Sequence, residues 1–454
     1  MSAVPDNPEA SEVLPKSGHP SVVDICAALI RCDTSNFGAA GSKGELSAAI
    51  YLADLLTGGG YRPTVLASAP GRANVLLRVP GTEPDLPGIL VHGHLDVVPV
   101  EADQWSVDPF GGVVRDGYLY GRGATDMKDA VAVAASVLLG WSASGRRPRR
   151  DLVVAFVADE EEDGAYGAGW LVDEHPEWFD GVGVAIGESG GCAVQQHDSS
   201  GRSRTFYPIA TGERGTFHLT LRAEGTAGHA SRGGESAVLR LAEAVARVAR
   251  YPWPADPPVD GRRFLSAVTD ALGIAADLGS ADGIDAAIGA IGEPLAGFVR
   301  PSSRNSSTPT VLRAGYKINV VPGSAEADVD VRAVPDREDE VLAIIDSLLG
   351  PGVTRVPLRT RPGLAAPIDS PWFSAMAAAI TAHDPSGVVV PFCMGGGTDA
   401  KSFHTLGIPC YGFTPLSADP EGRDGAGMHG VDERVPIASL IGGVAILDTF
   451  LTTV

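Results

Sequence analysis

Two apolar runs in this chain leave no room for a wet face. Residues 88–92 (GILVH) and 151–158 (DLVVAFVA) read as strands buried on both sides. Between them, residues 128–139 (KDAVAVAASVLL) are small and apolar almost all round, the pattern of a buried helix. Strand, helix and strand in that order imply a mostly parallel sheet covered on both faces. The flanks agree. Residues 46–57 place Leu46, Ala49, Ile50, Ala53 and Leu56 at helical spacing before a Gly58-Gly59-Gly60 stop, and 74–79 read as a further strand.

Near residue 210 the texture changes. Residues 216–223, 317–321 and 325–332 alternate with period two, and 236–249 are helix-like. Alternation marks a sheet with one wet face, the antiparallel habit. Residues 252–310 are rich in Pro, Ala and Gly with weak periodicity, and read as an insertion without a chemical signal. The α/β texture returns at 360–371, followed by a helix at 374–383, a glycine-rich turn into a helix at 395–403 and a closing helix at 437–451. The expected architecture is an α/β domain (1–209 and 361–454) interrupted by a smaller α+β domain at 210–360.

Charge narrows the partners. The chain of 454 residues has 35 basic against 56 acidic side chains, a formal charge of −21. That balance argues against a nucleic-acid backbone or an anionic membrane surface, both of which reward Lys/Arg clusters. The densest basic stretch, 146–150 (RRPRR), is short and broken by proline. The apolar runs fall far below the roughly 18 residues of a membrane span. The opening residues, MSAVPDNPEASEVLPKSG, show neither the cationic start nor the apolar core of a secretory signal. Cys26, Cys32, Cys192, Cys393 and Cys410 are odd in number and scattered, as reduced core thiols of a cytoplasmic protein are.

Four places put metal-type ligands at strand ends, where open α/β sheets build their sites. In 91–96 (VHGHLD), His92, His94 and Asp96 share one side of an extended chain. They read either as a ligand with its orienting acid or as satisfied polar residues at a strand end. In 121–128 (GRGATDMK), Asp126 stands at a helix entrance, where an acid is also an ordinary N-cap. The run 159–163 (DEEED) is either a solvated loop or a set of carboxylates facing the crevice above a buried strand. The fourth place is 428–433 (MHGVDE), with Glu188 of 186–189 (IGES) as a further acid. Together, two histidines and three carboxylates without thiolates suit one or two Zn²⁺-like ions. Asp126 is then the candidate bridge, and Glu160 is left free as a base.

The order HGHLDVVP, GRGATDMK, ADEE, GES, GTAGHAS, NVVPG, GGGTDAKSF and MHGVDE, spread over residues 85–435, resembles the M20 metallopeptidase family. The resemblance implies a zinc-peptidase-like α/β catalytic domain with an inserted lid that forms a homodimer interface. It implies two divalent ions, zinc first and Co²⁺ or Mn²⁺ as alternatives. His94 and Glu188 would hold one, Glu161 and His429 the other, and Asp126 both. Asp96 would orient His94, Glu160 would be the general base, and the Asp126–Met127 peptide would be cis. His229, in the GTAGHAS motif, would reach a partner subunit's site and stabilise the oxyanion. Asn319, Arg332 and the backbone at Gly396, Gly397 and Thr398 resemble the groups that hold the substrate's carboxylate. Glu162 extends the usual acid pair to a triple, and 252–310 would lengthen the lid.

The expected activity is hydrolysis of an amide bond in a small carboxylate-bearing substrate, a dipeptide or an N-acyl amino acid. Two alternatives stand beside it: an amidohydrolase of ureido or carbamoyl compounds, and a protein that binds small acids without turnover.

Overall fold

The computed structural model describes residues 18–38, 41–162, 164–423 and 425–454. Its largest element is a sheet of ten strands. Leu152–Val157, Gly88–His94, Val182–Gly187 and Cys410–Gly412 run parallel side by side at the centre. The first two are buried along their whole length, as their unbroken apolar sequence requires. The flanks depart from the mostly parallel expectation: Arg72–Val79 and Ser203–Glu213 join the centre antiparallel. At the outer edge Thr64–Ala69 turns straight back into Arg72–Val79 through Gly71 at φ 82°, and so tight a connection makes that pair antiparallel too.

Helix Lys128–Ser144 covers one face together with Val22–Arg31 and Ile437–Thr453, and Gly145 ends it in the left-handed region at φ 68°. Ala168–Glu174 and Ala400–His404 cover the other face.

The second sheet is antiparallel, in the order Ser306–Ala314, Ser324–Ala333, Gly215–Glu224 and Val353–Arg361. Its buried residues alternate along Ser324–Ala333 and pack under Ala237–Ala249 and Glu338–Leu349. Residues 317–321, read as a strand, supply only Val320–Val321, paired with Gly228–His229. Tyr316 and Ile318 beside that pair are exposed, so no packing extends it.

The segment 252–310, expected to lengthen the lid, behaves differently. It forms helices Val259–Leu272, Ala281–Ile291 and Leu295–Val299, which pack on Ser203–Glu213 and Val388–Met394 of the large sheet. Only its last part, Ser306–Ala314, enters the small sheet. Among the described residues no helix is long and apolar enough to cross a membrane.

Candidate metal centre

Three adjacent parallel strands deliver the first side chains. His94 ends Gly88–His94, Glu160 and Glu161 follow Leu152–Val157, and Glu188 follows Val182–Gly187. The ladder sets His94 opposite Val157, so these carboxyl ends open into one crevice. Asp126 lies in the turn before Lys128–Ser144, and its peptide bond to Met127 is cis. His429 returns from far along the chain because Arg434–Pro436 pairs with Tyr118–Tyr120, next to that turn.

Asp126 faces both histidines. Its Oδ1 lies 3.0 Å from His94 Nε2 and its Oδ2 2.9 Å from His429 Nε2. Glu161 Oε2 is 3.2 Å from His429 Nε2, and Glu188 Oε2 is 4.0 Å from His94 Nε2. Ligand atoms of His94, Asp126 and Glu161 lie within 4.8 Å of one another, and so do those of His94, Glu160 and Glu188. Glu161 Oε1 is buried without a hydrogen-bond partner, an orphan that a cation would satisfy. The donors are imidazole nitrogens and carboxylate oxygens, a set that suits Zn²⁺, Co²⁺ or Mn²⁺. The residues present fit a pair of divalent ions.

The charge of the crevice fits as well. Loss of water pushes Glu160 up well beyond the usual carboxylate range, and the Glu188 charge adds to the effect. Glu188 is raised for the same first reason, and Asp399 beside them is pushed up to about 7, again first by burial. Burial opposes protonation of His94, yet hydrogen bonds to Asp126 and Asp96 hold its ring well above the ordinary value. Asp126, then Glu161, lift His429 to about 10. Protons are thus retained where acids crowd around two imidazoles, a charge distribution that a divalent ion would complement.

Asp96 stands beside His94. His94 Nδ1 donates to the Asp96 backbone carbonyl at 2.9 Å, which leaves Nε2 for a metal, while the nearer carboxylate oxygen is 3.6 Å away. That carboxylate also accepts the N–H of Glu160 at 3.1 Å and of Glu161 at 3.2 Å, and Asn36 Nδ2 at 2.8 Å. It holds the acidic loop over the crevice. Within that loop Glu160 and Glu161 join the ligand groups and Glu162 is exposed, while Asp163 lies outside the described residues. Asp159 turns inward at φ 71° and accepts from Arg72 at 2.7 Å and Asn36 at 3.1 Å.

Sequence reasoning gave Glu433 no role. Its buried carboxylate accepts from Arg122 Nη1 at 2.6 Å, Gly123 N at 3.1 Å, Thr125 N at 2.8 Å and Thr125 Oγ1 at 3.0 Å. One side chain therefore ties the turn before Asp126 to the loop of His429. The available signal was an unused acid in MHGVDE and an unused arginine in GRGATDMK. Asn36 and Arg72 lie outside every motif and carried no such signal. His92 joins neither ligand group: it is buried near the Phe403 ring, with centroids 4.9 Å apart, and burial pushes it down to about 3.

The remaining predicted residues fall into two sets. Arg332 lines a cavity of about 400 Å³ with Arg214, Gly395 and Gly396. It also lines one of about 220 Å³ with Glu160, Gly397, Thr398 and Asp399. Asp330 holds its guanidinium at 2.7 and 3.0 Å. Thr398 donates its N–H at 3.0 Å and its hydroxyl at 2.5 Å to the buried Glu213, so these donors fasten the glycine turn to the large sheet. His229 and Asn319 line neither cavity. His229 is exposed, with Nδ1 2.8 Å from Ser231 Oγ, and the exposed Asn319 accepts the Ala230 N–H at 3.0 Å through its carbonyl.

Comparison with known proteins places this geometry among relatives. The model of peptidase family M20/M25/M40 matches residues 90–453. The chain is 31% identical to the N-fatty-acyl-amino acid synthase/hydrolase of Xenopus tropicalis, over 79% of this chain and 71% of that protein. It is 28% identical to human aminoacylase-1, over 84% of each. Among solved structures, an M20 family metallo-carboxypeptidase of Sulfolobus solfataricus has a TM-score of 0.69 at 16% identity, covering 95% of this chain and 99% of that one. Human carnosine dipeptidase 1 has a TM-score of 0.63 at 17% identity, covering 95% of each.

Proposed function

This chain belongs to peptidase family M20/M25/M40, and from that premise we propose that it hydrolyses the amide bond of an N-acyl amino acid or dipeptide bearing a free carboxylate. The observation that carries the reading is Asp126, whose two oxygens face two histidines from opposite ends of the chain. His94 and Glu188 would hold one divalent ion, Glu161 and His429 the other, and Asp126 both. When bound, the ions acidify water and polarise the substrate carbonyl.

The chain's own groups do the rest. Glu160 takes the proton of the attacking water on its carboxylate and returns it to the departing amine nitrogen. Arg332 and the Gly396–Gly397 backbone hold the substrate's carboxylate, a planar pairing that suits a guanidinium. His229 of a second copy donates from Nε2 to the developing oxyanion, since Nδ1 is engaged by Ser231. The small-sheet unit within 210–360 acts as lid and dimer contact, a role supported by exposed Leu312, Tyr316 and Ile318. Five unpaired thiols support a reducing compartment such as the cytoplasm.

The test is a screen of N-acyl amino acids and dipeptides with bound metal measured in parallel. Chelator-sensitive release of free amine is expected. A fully metallated protein that cleaves none of them sinks the reading, and release of ammonia or CO₂ from ureido or carbamoyl compounds replaces it.

A further inference from the structure

Beside the metal crevice opens a cavity of about 880 Å³, lined in part by Asp126 and Glu188. That volume encloses whole ligands of drug size, more than one amino-acid side chain fills. Val194, Phe392, Met394 and Leu416 give it apolar walls, and Gly395 and Gly396 are shared with the cavity of Arg332.

One wall comes from the segment in which the sequence showed no chemistry. Pro294, Gly297, Phe298 and Pro301 line the cavity. Their spacing, i, i+3, i+4 and i+7, is that of one helical face. Leu295, Ala296 and Val299, on the back of helix Leu295–Val299, are wholly buried in the cluster that joins it to the large sheet. Phe298 stands edge-on to Phe392, with centroids 5.1 Å apart and an interplanar angle of 88°. Beside it Gly297 leaves a gap, since an added Cβ would meet only the tip of the Glu293 side chain, at 3.1 Å. The helix is fixed from behind and carries one large and one absent side chain towards the cavity.

We propose that this helix gauges the substrate's apolar group: an extended acyl chain runs from the crevice along Pro294, Gly297, Phe298 and Pro301, and Gly297 and Phe298 set the length accepted. The inference rests on the deacylase reading above and adds to it the part of the chain that selects the acyl group. Neither residue belongs to the ligand groups or lines a cavity of Arg332, so a change there is aimed at length preference and leaves the reacting groups in place.

The experiment compares the parent with Gly297→Leu and Phe298→Ala, all metal-loaded, on acetyl, octanoyl and palmitoyl derivatives of one amino acid. Calorimetric titration with free palmitate is run alongside. Gly297→Leu is expected to lower the palmitoyl-to-acetyl ratio of kcat/KM about tenfold, and Phe298→Ala to move the preferred chain to a longer one. Palmitate binding falls in Gly297→Leu and persists in Phe298→Ala. Ratios within about twofold of the parent in both variants overturn the proposal. If no acyl amino acid is cleaved, the deacylase reading fails by itself. The palmitate titration then decides the wall, and equal binding by parent and Gly297→Leu overturns it.

Discussion

The metal crevice and the short Gly228–His229 ribbon each present a histidine, and they hold it in opposite ways. His94 is buried with both ring nitrogens engaged, at the end of a strand whose register is pinned on either side. His229 is exposed, on a two-residue strand, with Ser231 on one ring nitrogen. Around the first, Asp96, Glu433 and Asp159 tie together loops distant in sequence, so the chain itself preorganises the ligands. Around the second, Asn319 and Ile318 face solvent. Under the proposed mechanism the contrast divides the work: one chain sets the metal ligands, and His229 reaches a site only when a second copy places it.

The sharpest way to break that division is at the base. Glu160→Gln is expected to lower turnover by about 10³–10⁴-fold while bound metal, measured by elemental analysis, stays at the parental amount. Undiminished turnover would remove Glu160 from the chemistry. His229→Ala comes next, with kcat lower by about 10²–10³-fold and the metal content again unchanged. Mixing and reassociating the two dead variants provides the finer test. If His229 serves the other copy's crevice, the mixture regains activity that neither variant has alone. A mixture as inactive as its parts would place His229 in its own chain's site.

The same contrast explains what the sequence could and could not disclose. His94, Glu160, Glu161 and Glu188 were legible because each follows a strand whose apolar run is itself legible, and ligand chemistry restricts which residue types can stand there. Asp126 and His429 were legible through their motifs. The ties that aim these groups were not. Arg122 and Glu433 meet across 311 positions, Arg72 and Asp159 across 87, and no local pattern encodes such a meeting. The further task of the Asp96 carboxylate was hidden for the same reason: besides facing His94 it meets backbone N–H groups of another strand's loop. Helix Leu295–Val299 escaped because five residues are too few to show a period. The antiparallel flanks escaped because strand direction depends on how the chain returns, which composition does not record.

Glu433 is a smaller lever that acts on one half of the crevice. In Glu433→Gln the carboxylate that gathers Arg122, Gly123 and Thr125 is lost, and the His429 loop loosens from the Asp126 turn. A two-site zinc titration is expected to show affinity lower by about 10–100-fold at the weaker site, with the other site held by the sheet residues near its parental value. Equal loss at both sites would mean that Glu433 supports the whole crevice and that its two halves are not separable.

The gentlest test is pH. In the metal-free protein His429 is lifted to about 10 by Asp126 and Glu161, above the value of about 6.5 it has in an unfolded chain. A group raised on folding contributes stability that is complete below its unfolded pKa and is lost as pH climbs through its folded one. The raised Glu160 and Glu188 have the same sign and begin to lose their contribution above the ordinary carboxylate range of about 4.3. Asp126, held below that range, has the opposite sign, but its contribution changes only in acid. Between about pH 6.5 and 10 the metal-free Tm is therefore expected to fall steadily, and His429→Gln to flatten that part of the curve. A divalent ion competes with the proton for the same Nε2, so metal-loaded protein is expected to show little slope in that window. An equal slope with and without metal would show that the groups titrating there lie outside the crevice.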